Sequence, residues 1–382
     1  MASFDSAPPS GRLGELARLF LRLGATAFGG PAAHIALMES EIVQRRGWLS
    51  REQFLDLLGA ANLIPGPNST ELAIHIGHAR AGWPGLAVAG ASFIAPAVLI
   101  VTGCAWAYVR FGALPELAGL LYGVKPVVIA IVLQALWRLG RTAIRSVRLA
   151  ALSLAAALAN ALGADELAVL GASALFAGSA ELARGRRSAR GLAPLAGALG
   201  AGAASVSPAF GLWPLFFFFA KVGSVLFGSG YVLLAFLRSG LVVERGWLTE
   251  GQLLDAIAVG QVTPGPVFTT ATFVGYLLAG TSGALVATAG IFLPAFVFVA
   301  ASAPFLPRLR ASPLAAALLD GVNAASLALM ADVAAQLARA ALVDLPTLAL
   351  AAGAAVALFA RPQWNSAWLV LAGGAVGVAL RA

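Results

Sequence analysis

Five separate motifs in this chain occur twice, and the copies keep almost one spacing. Phe28-Gly29-Gly30 returns as Phe227-Gly228-Ser229, Gly47-Trp48-Leu49 as Gly246-Trp247-Leu248, and the pair Gln53 and Asp56 as Gln252 and Asp255, each 199 residues on. Pro65-Gly66-Pro67 returns as Pro264-Gly265-Pro266 at the same shift, and Gly123-Val124-Lys125 returns as Gly321-Val322-Asn323 at 198. A period of about half of 382 residues is far too long for a solenoid of stacked repeats. It fits two homologous halves, so any fold open to the chain must be built twice.

The halves are apolar. Hydrophobic residues make up 60% of the chain, charged residues 11%, and mean hydropathy is +0.87. A soluble domain of this size has too little interior to hide that much apolar surface. The apolar runs exceed the length needed to cross hydrocarbon. The predicted class is therefore an all-α integral membrane protein in a lipid bilayer. A net charge of +8 does not point to nucleic acid, because the arginines are scattered through short connections, where they set topology. Both lysines, Lys125 and Lys221, lie inside apolar sequence. Cys104 is the single cysteine, so no internal disulfide forms. Residues 1–11 read as a polar tail, with Asp5, Pro8 and Pro9 where a cleaved signal would need positive charge and an apolar core.

Two kinds of break interrupt each half. Leu13 to Phe28 is an apolar segment stopped at Gly29-Gly30-Pro31, after which a helix restarts and runs to about Arg46. Ser50 caps a further segment ending at Ile64, and Pro65-Gly66-Pro67 breaks it. Asn68 is expected to cap the next helix, with Glu71 completing a capping box. On that helix Glu71 and His75 share a face. These pieces predict two broken or re-entrant helix hairpins per half, meeting near the bilayer midplane. About four spanning helices follow in the first half: 84–108, 114–139, 149–162 and 166–182. The loops 138–148 and 184–190 each carry four arginines, which places both in the cytoplasm. The expected division is a first repeat over 12–190, a connecting and membrane-crossing segment over 191–209, and a second repeat over 210–382. One crossing in that connection gives the halves inverted topology, the plan of many secondary transporters.

At Phe28-Gly29-Gly30-Pro31-Ala32-Ala33-His34-Ile35-Ala36-Leu37-Met38, and again at Pro65-Gly66-Pro67-Asn68-Ser69-Thr70-Glu71, the sequence resembles the chromate ion transporter family in its two-domain, long-chain form. The resemblance implies a multi-pass protein of the inner (plasma) membrane that exports chromate and confers chromate resistance. Some relatives are associated with sulfate, which has the same shape and charge. The second half departs from the pattern: Gly228-Ser229-Gly230 replaces Gly-Gly-Pro, Leu233 stands where His34 would be, and Val267, Phe268, Thr269 and Thr270 replace Asn68, Ser69, Thr70 and Glu71.

Four helix N-termini, near Pro31, Asn68, Ser229 and Val267, would converge if the halves face each other. Each offers unpaired N–H groups and roughly half a positive charge. The candidate anion ligands are Gly29, Gly30, Asn68, Ser69, Thr70, Lys125, Gly228, Ser229, Thr269 and Thr270, with His34 as a further contact. Glu71 repels a dianion when ionised, but burial in hydrocarbon favours its neutral form. Glu71 with His75 is therefore the candidate carrier of a coupling proton. The plain alternatives are that Glu71 only caps its helix, that the histidines pack, and that Lys125 snorkels. An intramembrane charge is costly enough to favour function for Lys125. Nothing suggests a nucleotide loop, a metal-ligand cluster, a cofactor or a catalytic triad, so neither an enzyme nor an ATP-driven pump is expected. The remaining alternatives are sulfate uptake or sulfate/chromate exchange, and an anion channel. A homodimer is the default expectation for assembly.

Overall fold

A computed structural model describes residues 9–28, 30–112, 115–184, 210–227, 232–302, 312–361, 364 and 366–381. Among them all regular structure is helical. The first half holds α1 (Pro9–Thr26), α2 (Gly30–Glu39), α3 (Arg51–Ala61), α4 (Asn68–Phe111), α5 (Pro115–Ala143), α6 (Val147–Ala161) and α7 (Glu166–Arg184). The second repeats them in order as α8 (Leu212–Val225), α9 (Leu233–Leu237), α10 (Glu250–Val262), α11 (Thr270–Ser302), α12 (Pro313–Ala341), α13 (Leu345–Ala360) and α14 (Ser366–Arg381). The connecting segment 191–209 lies outside the described residues.

The duplication extends to backbone detail. Both α2 and α9 run on into a single π-helical turn, Ser40–Arg45 and Arg238–Val243. Both α3 and α10 start with a capping box, Ser50 with Gln53 and Thr249 with Gln252, which satisfies the amides the first turn leaves open. Both α4 and α11 fold back on themselves at one residue pair. Ala81 and Gly82 have φ, ψ of −144°, 25° and 60°, −148°, and Ala279 and Gly280 have −148°, 29° and 60°, −148°. Only glycine takes the second conformation without strain. Each fold-back is a tight antiparallel hairpin in which a Cβ on Gly77 would strike the Gly85 carbonyl, and one on Gly275 the Gly283 carbonyl.

Salt bridges and ring contacts place the ends. Arg80, before the α4 turn, lies 4.8 Å from the Trp48 ring ahead of α3 and 3.4 Å from Glu15 near the start of α1. So α3 enters from one surface and the first arm of α4 returns to it, making a re-entrant hairpin that turns at Pro65-Gly66-Pro67. The second arm of α4, 83–111, is long enough to cross. Among the described residues five helices are long and apolar enough to span a membrane.

The halves run in opposite directions. Tyr108, near the far end of α4, donates to Asp255 early in α10. Tyr122, early in α5, donates to Asp344 between α12 and α13, and the Arg381 guanidinium at the end of α14 lies 4.2 Å from its ring. Asn160, at the end of α6, donates to Asp332 in the last third of α12. A parallel arrangement would put these partners on opposite surfaces.

The two halves are also interlocked. Helix α5 packs against α13 and α14 of the other half, and α12 packs against α6 and α7. Small residues allow this: Gly123 lies against Gly373 and Gly377, and Gly321 against Ser173 and Ala177, so close that a Cβ would overlap the facing backbone.

Candidate substrate vestibule

The helix breaks of both halves meet. The Gly66 N–H donates to the Leu226 carbonyl at 2.7 Å, and the Gly265 N–H donates to the Ala27 carbonyl at 3.0 Å. These two bonds are one another's counterparts at the 199-residue shift. Each proline-glycine break is thereby tied to the end of the other half's first helix. Gly66 at φ +140° and Gly265 at φ +92° adopt backbone that other residues resist, which exposes their amides to the partner.

His34 locks the same point. Its Nε2 lies 3.0 Å from the Ala27 carbonyl and its Nδ1 3.2 Å from Ser69 Oγ. A carbonyl only accepts, so Nε2 carries the hydrogen, and in the neutral ring Nδ1 accepts from the Ser69 hydroxyl. The imidazole stands edge-on to Phe93, ring centres 5.5 Å apart.

Beside this knot lies an open cavity of about 410 Å³. Its inner end is formed by Pro31 at the start of α2, Asn68 at the start of α4, and Phe227 and Val232 at the second-half break. Its walls are α5 and α12, which contribute Gln134, Asn323 and Ser326. Its mouth carries Arg138 and Arg145, with Asp320 the one carboxylate among the described lining residues. Asn68 Oδ1 and Ser326 Oγ are buried there without a hydrogen-bond partner among the described residues. The Ser326 hydroxyl can donate, and a free donor in a cavity with a cationic mouth suits a small, highly charged anion; Asn68 can offer one only through its amide nitrogen, since its Oδ1 accepts.

The predicted residues do not all come together. Asn68 is at the cavity's inner end, and Gly30 (φ +77°, with open space where a Cβ would stand) directly precedes the lining residue Pro31. Ser69, Thr70 and His34 lie just behind it, all buried. Ser69 is bound to His34, whereas Thr70 Oγ1 has no partner among the described residues. Thr269 and Thr270 spend their hydroxyls on the Pro266 and Val267 carbonyls of their own turn. Gly29, Gly228 and Ser229 lie outside the described residues.

Two expectations are corrected. Asn68 does not cap α4: Pro67 takes the N-cap place with no side-chain bond, and Asn68 Nδ2 donates instead to Asn62 Oδ1 at 2.7 Å. Glu71 therefore completes no capping box. Its carboxyl folds back over Gly66, fully buried, with neither oxygen hydrogen-bonded among the described residues. His75 is buried one turn further on. Lys125 does not line the cavity. It pairs with Asp255 at 3.0 Å, toward the opposite face. Sequence reasoning missed Gln134, Asn323 and Ser326. The available signal was their polarity inside apolar spans, and Asn323 had already been matched to Lys125 by the repeat.

The chromate transporter family model matches residues 14–179 and again 213–378, which together are most of the chain. The chain belongs to the chromate transporter family. Its two matched regions are offset by the same 199 residues as the motifs. The chain is 35% identical over 379 residues to the chromate transport protein of Cupriavidus metallidurans, covering 96% of this chain and 93% of that one. It is 33% identical to the chromate transport protein of Pseudomonas aeruginosa (98% and 94% covered) and to the probable chromate transport protein of Synechococcus elongatus (89% and 88%). No solved structure matches significantly. Family membership and the apolar helices make this a multi-pass membrane protein. Among the described residues no cluster of three or more His, Cys, Asp or Glu could hold a metal ion.

Proposed function

We propose that this chain is a secondary transporter that carries chromate out of the cytoplasm across the inner membrane. One observation carries the reading: a cavity with arginines at its mouth ends where helix starts and breaks from both halves converge. The arginines of the α5–α6 connection support a cytoplasmic position for that mouth. Arg138 and Arg145 draw a dianion inward. Unbonded amides and the positive ends of α2 and α4 receive its oxygens, with Asn68, Thr70 and Ser326 supplying side-chain contacts. A cavity of about 410 Å³ has room for one tetrahedral oxyanion and its remaining water. The family relatives named for chromate support that substrate.

Glu71 is the coupling group in this scheme. It is sealed behind the anion contacts, where a proton on the carboxyl removes its repulsion of the substrate, and His75 lies on the same helix face. Glu71→Gln should leave chromate binding intact but make transport in reconstituted vesicles indifferent to an imposed pH gradient. Unaltered pH coupling would refute the role.

The deciding experiment for the whole reading is chromate accumulation in cells with and without the protein, with sulfate as competitor. Lower accumulation with the protein, unaffected by sulfate, supports chromate export. Higher accumulation that sulfate suppresses would favour sulfate uptake instead. A reversal potential set by the anion gradient alone would indicate a channel.

A further inference from the structure

The repeat that builds the vestibule also specifies its mirror position. The shift of 198 within α5 and α12 maps Asn323 onto Lys125 and Ser326 onto Val128. On the arginine face, Asn323 and Ser326 line an open cavity. On the opposite face the equivalent place is filled. Val128 is 1% exposed, and Lys125 Nζ lies 3.0 Å from Asp255 Oδ1. The Tyr108 hydroxyl donates to Asp255 Oδ2 at 2.9 Å. The Asp255 side chain is almost fully buried, and that of Lys125 is about one quarter exposed. Three helices, α4, α5 and α10, are thus tied together by one carboxylate.

The halves differ here. Asp56, the counterpart of Asp255, is exposed on α3. The counterpart of Lys125 is the uncharged Asn323. At these matched positions, among the described residues, an ion pair stands on one face and not on the other.

We infer that Lys125, Asp255 and Tyr108 form the exit gate of the transporter, in which the Asp255 carboxylate holds the ammonium that a departing anion would engage. The inference rests on the vestibule being the entrance. An oxyanion arriving from the midplane competes with Asp255 for Lys125, the pair parts, and α10 moves away from α4 and α5. A carboxylate standing in for the substrate keeps the exit shut without burying an unpaired charge, which would be far costlier than the pair itself. Opening both faces at once would let the anion leak, so the pair must re-form once Lys125 is vacated.

The test needs no chromate. Single cysteines are placed at Ser326 and Val128 with Cys104 replaced by serine. A charged, membrane-impermeant thiol reagent is then added to either face of oriented vesicles. Ser326→Cys should label from the arginine face and Val128→Cys should be protected from both. Adding Asp255→Asn should raise labelling of Val128→Cys from the opposite face by about tenfold or more. The exchanged pair Lys125→Asp with Asp255→Lys should restore protection, which separates gating from misfolding. Protection of Val128→Cys unchanged by Asp255→Asn, or free labelling with the native pair in place, would overturn the gate. Failure of Ser326→Cys to label would instead count against the vestibule.

Discussion

His34 offers the sharpest separation of scaffold from substrate contact. Replacing it with phenylalanine keeps a ring against Phe93 and deletes both hydrogen bonds, to the Ala27 carbonyl at 3.0 Å and to Ser69 Oγ at 3.2 Å. The Ala27 carbonyl still accepts from the Gly265 N–H, so it is not orphaned. The Ser69 hydroxyl, which is buried, loses its partner. Two buried bonds at about 1 kcal/mol each, with the Ser69 desolvation partly included, give a loss of about 2 kcal/mol, and intramembrane bonds run toward the low end. With an unfolding entropy of about 2.1 cal/mol/K per residue, that loss lowers the midpoint by about 2–3 °C. The assay is the temperature at which half of the detergent-purified protein leaves the monodisperse peak, measured beside chromate transport in vesicles. His34→Phe should lower that midpoint and depress the maximal rate more than it raises KM, because the knot between the two halves loosens while the anion contacts stay. An unchanged midpoint with a large rise in KM would show that His34 touches the substrate, and the clamp argument would fail.

Arg138→Gln and Arg145→Gln should each raise KM for chromate severalfold, leave the maximal rate nearly unchanged and weaken its dependence on ionic strength, read from initial rates between low and physiological salt. Asp344, in the α12–α13 connection, accepts from the Thr347 amide and from Tyr122, and these bonds hold its carboxyl below the usual aspartate range. A lowered carboxylate adds stability above the unfolded pKa of about 3.9, which is lost as pH falls through the folded value. The midpoint difference between the parent and Asp344→Asn should therefore be present at neutral pH and shrink progressively below about pH 4.

The breaks and their repetition were legible because proline and glycine act locally. Pro65-Gly66-Pro67 stops a helix whatever surrounds it. The ends of α4, α5, α6 and α7 follow from the same local rules. Contacts between halves were not legible, because a hydrophobic helix face does not record which helix will cover it. Nothing in the sequence near Gly123 says that it meets Gly373 of α14 and not a helix of its own half. The capping role of Asn68 was misjudged for a related reason: Pro67 already supplied extended backbone at the cap, and Asn62 across the break competed for the side chain. Lys125 was singled out as a charge inside an apolar span. Its partner was hidden because Asp255 had been seen only as a repeat mate of Asp56.

The crossed packing of α5 with α14 carries a cost during synthesis. Arg381, at the end of the last helix, is the residue that lies over Tyr122, so the first repeat leaves the ribosome with one side of α5 uncovered and waits for the second repeat to be made. Truncations near the C-terminus should therefore damage the N-terminal repeat as much as their own, and neither repeat can be stored in the bilayer as a finished piece.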